Sequence, residues 1–94
     1  MRVRWLKTAL RNLDKEASYI AQDDPAMARI VVDRIFRAVA GLADSPSIGR
    51  PGRVSGTREL IVPKTRNLIP YRIREDRIEI LRVFRASRRP PERW

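Results

Sequence analysis

The sequence predicts an α+β fold of order β-α-α-β-β-β, with a helical hairpin packed on one face of a mostly antiparallel sheet. Three observations predict it. A short alternating segment opens the chain, two amphipathic stretches follow with only a turn between them, and three alternating stretches crowd the second half. The 94 residues are read as one domain, with 86–94 forming a basic C-terminal tail.

Val3-Arg4-Trp5 alternates and makes the first strand, with Trp5 read as a core anchor. Thr8 is placed to cap the helix that follows. Leu10, Leu13, Ala17, Ile20 and Ala21 recur at helical spacing, while Arg11, Asn12, Lys15, Glu16 and Gln22 face outward. Asp23-Asp24-Pro25 closes this helix and opens the next. Asp24 suits the N-cap, where its carboxylate accepts a free N–H, and Pro25 suits the first helical position, where no N–H is needed. Ala28, Val31, Val32, Ile35, Val39 and Leu42 then step by threes and fours until Asp44-Ser45-Pro46 stops the pattern. Two helices joined so tightly form an antiparallel pair, and their apolar stripes need a sheet to cover.

Residues 45–57 read as a loop, punctuated by three Gly and two Pro. Three strand candidates follow: Arg58–Val62, Leu68–Arg74 and Arg77–Phe84. Glu75-Asp76 links the last two as a tight hairpin. Pro70 has no N–H to give a ladder, so it predicts a bulge or a locally unpaired edge. Ile78, Ile80, Leu81 and Val83 place apolar side chains on both faces of the final strand, which implies cover on both sides. By the two-residue period Arg72 and Arg74 share one face of their strand, and Arg82 shares the parity of Ile78 and Ile80.

Charge narrows the function classes. Lys and Arg total 21 against 11 Asp and Glu, a formal net charge of +10. Only Lys7, Lys15 and Lys64 are lysines; the other basic residues are Arg. Residues 1–45 carry 8 basic and 6 acidic side chains, whereas residues 46–94 carry 13 and 5. Such a surface attracts nucleic acid, an anionic membrane or an acidic protein, and the planar guanidinium fork suits phosphate and carboxylate. No Cys is present, which excludes disulfides and thiolate metal sites, and no His is present to shuttle protons. No apolar stretch reaches the roughly 18–20 residues of a membrane span, and the opening residues lack the apolar core of a secretory signal. The expectation is a soluble cytoplasmic protein without metal or cofactor.

Trp5, Ala9, Leu13, Tyr19-Ile20-Ala21 and Asp24-Pro25 are similar to the opening helix of the RelE/ParE toxins of type II toxin–antitoxin systems. Ala28 through Leu42, then Pro46, Gly49-Arg50-Pro51-Gly52 and Gly56-Thr57-Arg58-Glu59-Leu60, resemble that family's mid-chain signature. Tyr71-Arg72-Ile73 and Ile80-Leu81-Arg82-Val83 resemble its closing hairpin. The resemblance covers nearly the whole chain and is closer to the ParE branch, on the strength of the Gly-Arg-Pro-Gly loop and the Thr-Arg-Glu-Leu strand. It implies a growth inhibitor that poisons DNA gyrase by binding it. It also implies an antitoxin partner, acidic and partly disordered, that folds as it binds into a hetero-oligomer. The RelE branch implies instead a ribosome-dependent endoribonuclease acting on mRNA. One departure stands out: family members often carry a His just after the last strand, and here Arg85 stands there, followed by Ala86-Ser87-Arg88-Arg89.

Metal-independent RNA cleavage needs a base, a phosphate holder and an acid. Arg58, Arg72, Arg82 and Arg85 could clamp the phosphate, with Tyr71 or Glu79 moving protons. Acids and bases are otherwise scarce, and Glu59 and Glu79 are as readily partners for Arg on neighbouring strands, which weighs against catalysis. For binding, Arg85, Arg88, Arg89 and Arg93 gather beside Trp94 as a target-binding cluster. Ala9, Ala17 and Phe36, left over from the helix stripes, could meet an antitoxin helix, with Arg72 and Arg74 available to its acidic part.

Overall fold

A computed structural model describes residues 1–86 of the chain. The elements are β1 (Arg2–Trp5), α1 (Lys7–Ala21), α2 (Pro25–Ala40) with a 3₁₀ turn at Gly41–Ala43, β2 (Arg50–Pro51), β3 (Arg58–Ile61), β4 (Asn67–Arg74), β5 (Arg77–Ile80) and β6 (Phe84–Arg85). The sheet runs β1-β5-β4-β3-β2, with β6 continuing beside β4. Among the described residues only the β1–β5 pair is parallel, and the other pairings are antiparallel. The expected α+β architecture is therefore present, with the short β2 added inside the stretch read as loop.

Alternation sorts the side chains. Val3 and Trp5, Ile78 and Ile80, Ile69 and Tyr71, and Leu60 and Val62 all belong to the core that meets Ala9 and Leu13 of α1 and Val31, Ile35 and Val39 of α2. Both helices thus cover one face of the sheet. The second helix begins as its sequence dictates: Asp24 Oδ1 accepts the Met27 N–H at 3.0 Å, and Pro25 fills the first turn. The first helix begins differently. Leu6 still donates its N–H to the Ile80 carbonyl at 3.1 Å, as a strand residue would, and is itself the N-cap without a side-chain bond. Thr8 consequently lies inside the first turn and caps nothing. The buried stripe differs from the expected one at its first position: Ala9 is fully buried and Leu10 is 45% exposed, while Leu13 stays in the core.

Pro70 produces the bulge expected of it. Tyr71 lies opposite Ile80, but Leu68 lies opposite Phe84, so two residues of β4 face Leu81, Arg82 and Val83. The Pro70 carbonyl accepts the Leu81 N–H at 2.9 Å, which places the missing Pro70 donor on this same edge. A regular ladder would have required that donor. The inserted residue removes the requirement, and the Val83 N–H goes instead to Asn12 Oδ1 of α1 at 3.2 Å. Beyond the bulge the phase is reversed. Val83, not Arg82, shares the helix-facing core with Ile78 and Ile80, which corrects the parity assigned to Arg82. The Glu75-Asp76 link does form the hairpin, with Glu75 at φ 59°, a conformation that disfavours residues other than Gly.

The hydroxyl of Tyr71 ties the loop before β2 to the sheet. Tyr71 is fully buried; its hydroxyl donates to the Pro46 carbonyl at 2.7 Å and accepts the Gly49 N–H at 2.9 Å. The loop approaches so closely that a Cβ at Gly49 would sit 2.6 Å from the Tyr71 ring and hydroxyl. Arg58 adds two further ties, donating to the carbonyls of Ser47 and Gly49 at 3.2 and 2.8 Å. Among the described residues no helix is long and apolar enough to cross a membrane, and no group of three or more Asp and Glu side chains could hold a metal ion.

Tyr71→Phe removes one hydroxyl and strands a buried N–H and a carbonyl together. The expected loss of stability is about 1–3 kcal/mol in urea denaturation. A loss below about 0.5 kcal/mol, the scale of neutral surface changes, would show that the hydroxyl is not holding the loop.

Candidate functional site

Small side chains leave a trough between the two helices. Ala17 and Ala21 on α1 face Ala28 and Val32 on α2, with Phe36 closing one end, and the groove they line has a volume of about 610 Å³. Its lining is largely apolar, with Arg29 and Asp33 at the rim. Phe36 is 44% exposed and rests against Trp5, ring centroids 5.2 Å apart. Two of the three apolar positions proposed for an antitoxin, Ala17 and Phe36, therefore line one groove. Ala9 does not: it is fully buried under the sheet-facing stripe and can touch no partner.

On the sheet face away from the helices, charge gathers across β1, β5 and the end of β4, while Leu68, Pro70 and Leu81 lie buried further along it. In register across β1, β5 and β4 stand Arg2, Arg77 and Arg74 in one row, and Arg4, Glu79 and Arg72 in the next. Glu79 is the single acid of these six. It receives Arg72 Nε at 2.6 Å and Arg77 Nε at 3.2 Å, while Arg77 also reaches Glu75 in the turn at 3.9 Å. The Arg72 hydrogen bond holds the Glu79 carboxyl below its ordinary value; burial opposes this, and the Arg77 bond adds to it. Further along the same face Glu59 is used in the same way. It accepts Arg50 Nη2 at 3.1 Å and the Arg53 backbone N–H at 3.0 Å. Both carboxylates thus pair with Arg from neighbouring segments, as their strand positions suggested.

Arg85 is held by α1. Its Nη2 donates to Glu16 Oε1 at 2.7 Å and its guanidinium carbon lies 4.5 Å from the centroid of the Tyr19 ring. The Glu16 hydrogen bond raises the already high pKa of Arg85 against the opposing effect of burial. Glu16 Oε2 also accepts from Asn67 Nδ2 at 2.9 Å, so one helical carboxylate fastens the start of β4 and the end of β6. Arg85 is thus anchored to α1 and is the one member of the expected target-binding cluster among the described residues. Arg88, Arg89, Arg93 and Trp94 lie outside the described residues.

The six residues suggested for RNA cleavage do not meet at one point: Arg72 bonds Glu79 and lines a pocket with Arg82, whereas Arg58 stands opposite Tyr71 and Arg85 lies against α1. Tyr71 and Glu79 belong to adjacent strands but opposite faces of the sheet, and Tyr71 is fully buried with its hydroxyl at work in the loop. Glu79 is kept ionised by two guanidinia, the wrong state for an acid. Arg58 is spent on loop carbonyls, Arg72 on Glu79 and Arg85 on Glu16. Arg82 donates to the Leu81 carbonyl at 2.7 Å. Sequence reading missed Arg2, Arg4 and Arg77 as members of the charged face. The alternation was visible in Arg2-Val3-Arg4-Trp5 and Arg77-Ile78-Glu79-Ile80, but the parallel pairing that aligns them carries no local signal.

Residues 3–90 match the family model described as the ParE toxin of the type II toxin–antitoxin system parDE. A curated protein of Sinorhizobium fredii (strain NBRC 101917 / NGR234), carried as a candidate toxin named Y4kP, is 48% identical over 91 residues, 97% of this chain and 94% of that protein. Among solved structures, a chain of the chromosomal ParDE TA system from P. aeruginosa superposes with a TM-score of 0.82 at 29% identity, covering 93% of this chain and 97% of that one.

The Arg72–Glu79–Arg77 triad makes stability depend on acid. Because the folded pKa of Glu79 is depressed, its contribution is present above the ordinary value of 4.5 and is lost as pH falls through the lower folded value. The urea midpoint of the native protein is therefore expected to drop through this acid range, and that of Glu79→Gln to drop less steeply. Superimposable acid limbs would contradict the assignment.

Proposed function

The chain belongs to the ParE toxin family of type II toxin–antitoxin systems, and on that premise we propose that it arrests bacterial growth by binding and poisoning DNA gyrase. A cognate antitoxin neutralises it in the cytoplasm by laying an amphipathic helix into the groove between α1 and α2, forming a toxin–antitoxin hetero-oligomer.

The observation that carries the binding half of this reading is the groove itself. An apolar trough of about 610 Å³, floored by Ala17, Ala21, Ala28 and Val32 and ended by Phe36, suits a helix that presents apolar side chains at three- and four-residue steps. A segment that orders only on binding needs such apolar burial to offset its lost entropy. Arg72 and Arg74 are on the opposite face of the sheet from this groove, so an antitoxin engaging both surfaces must wrap around an edge of the molecule.

The inhibitory half rests on family membership and on the lack of an assembled proton-transfer pair at Tyr71 and Glu79, which supports inhibition by occupancy over RNA cleavage. The ribosome-dependent endoribonuclease reading would need those two groups to work across the thickness of the sheet.

Purified toxin is expected to inhibit negative supercoiling by gyrase and to lose that effect on addition of stoichiometric antitoxin. Unchanged supercoiling at saturating toxin would refute the gyrase target; shortened transcripts in a ribosome-containing extract would favour cleavage instead. Ala17→Glu places a carboxylate in the groove, and is expected to weaken the antitoxin about 10–100-fold, a loss of hot-spot size, while toxicity persists. Full neutralisation of that variant at wild-type antitoxin levels would remove the groove from the proposal.

A further inference from the structure

We propose that the guanidinium lattice on the open sheet face is a sequence-independent docking surface for the phosphate backbone of double-stranded DNA. The surface is the two rows Arg2–Arg77–Arg74 and Arg4–Glu79–Arg72, set on three hydrogen-bonded strands. Neighbouring strands lie about 4.8 Å apart and alternate residues about 6.6–6.8 Å apart along each strand, so five guanidinia occupy a patch roughly 10 Å by 7 Å. Its one carboxylate, Glu79, is already consumed by Arg72 and Arg77. The other nearby acids, Glu75 and Asp76, sit at the hairpin tip, where Glu75 reaches Arg77 at 3.9 Å. Arg2, Arg4 and Arg74 are exposed and make no ion pair among the described residues.

The composition of the patch selects the occupant. A protein partner needs apolar or aromatic anchors in the centre of its interface, and the six positions of the lattice contain none. Single-stranded RNA or DNA is held by stacking its bases on aromatic side chains. The aromatic residues of these strands, Trp5 and Tyr71, both belong to the core on the other face. Base reading needs an element narrow enough to enter a groove, a helix or a two-stranded ribbon, whereas each row spans three strands of a wider sheet. What remains is charge fixed on a stiff support. Duplex DNA carries one negative charge per about 1.7 Å of axis, and neutralising it releases condensed counterions whatever the base sequence. The surface lies on the far side of the sheet from the helical groove, so DNA and a helix in that groove do not compete for the same side chains.

The test is fluorescence anisotropy of a short labelled duplex with the full chain, repeated from about 50 to 200 mM salt. Binding is expected to weaken steeply with salt, by roughly 0.9 logarithmic units of affinity per logarithmic unit of salt for each phosphate neutralised. The triple variant Arg2→Gln, Arg4→Gln, Arg74→Gln is expected to lose at least about tenfold in affinity and roughly 2–3 units of that slope. Lys7→Gln, Arg11→Gln, Lys15→Gln removes equal charge from the exposed side of α1 and is expected to change affinity by less than about twofold. The charge-preserving triple Arg2→Lys, Arg4→Lys, Arg74→Lys is expected to retain binding and guards against a folding artefact. Equal losses in the two Gln triples would overturn the proposal, because the attraction would then be diffuse. Tighter binding of a single-stranded RNA of equal length, or of polyglutamate at equal charge, would overturn the choice of duplex DNA. No gyrase enters the assay, so its outcome is independent of the gyrase reading.

Discussion

A single missing hydrogen on the Pro70 nitrogen governs how the second half of this protein is laid out. An antiparallel ladder at that position would need a donor pointing at the neighbouring strand, and proline supplies none. The chain answers with one inserted residue among Leu81, Arg82 and Val83. From that insertion follow the return of Val83 to the core, the capture of its N–H by Asn12, and the placement of Arg85 against Glu16 and Tyr19. The bulge therefore joins sheet to helix as well as strand to strand. Without it, Arg82 would be aimed into an apolar layer where a guanidinium has no water and no acid.

A second pattern concerns how so much positive charge is accommodated. Glu16, Glu59 and Glu79 are each at most slightly exposed, and each is engaged by at least one guanidinium. Pairs of this kind add little net stability, because desolvation offsets most of the attraction. Their value is geometric. Each fixes a segment whose position apolar packing alone leaves loose: the Arg50–Arg53 loop, the β4–β5 hairpin and the end of β6. Among the described residues, Arg2, Arg4 and Arg74 stand outside these pairs on the face that has no helix above it.

Much of the fold was legible in the sequence because it was written in short-range terms. The Asp24-Pro25 start, the α2 stripe and the Pro70 disruption each depend on chemistry within a few residues. The errors share one cause: they required knowing what lies next in space. Thr8 fails as a cap because β1 holds Leu6 in a strand-like bond to Ile80, which starts the helix early. Ala9 reads as a spare surface alanine because only the packing of α1 on the sheet shows that it, and not Leu10, opens the buried stripe. Tyr71 reads as an available proton carrier because nothing local announces that Pro46 and Gly49 will close over its hydroxyl. The sites were less legible than the fold for the same reason. A groove made by two helices and a lattice made by three strands exist only after packing, and the parallel register of β1 on β5 cannot be read from either strand alone.

That parallel register has a consequence for the order in which the molecule is made. Arg2 finds its neighbour in Arg77, and Trp5 finds Ile80, so the earliest strand to leave a translating ribosome must wait for nearly the latest. Contacts of such sequence separation form slowly, since a long loop must close before they bring any return. During synthesis the helical hairpin can form from local contacts, but its apolar underside stays uncovered until β3, β4 and β5 have emerged. The nascent chain thus passes through a stage in which its helices are complete and its charged sheet does not yet exist, so the groove between α1 and α2 takes shape before the guanidinium rows.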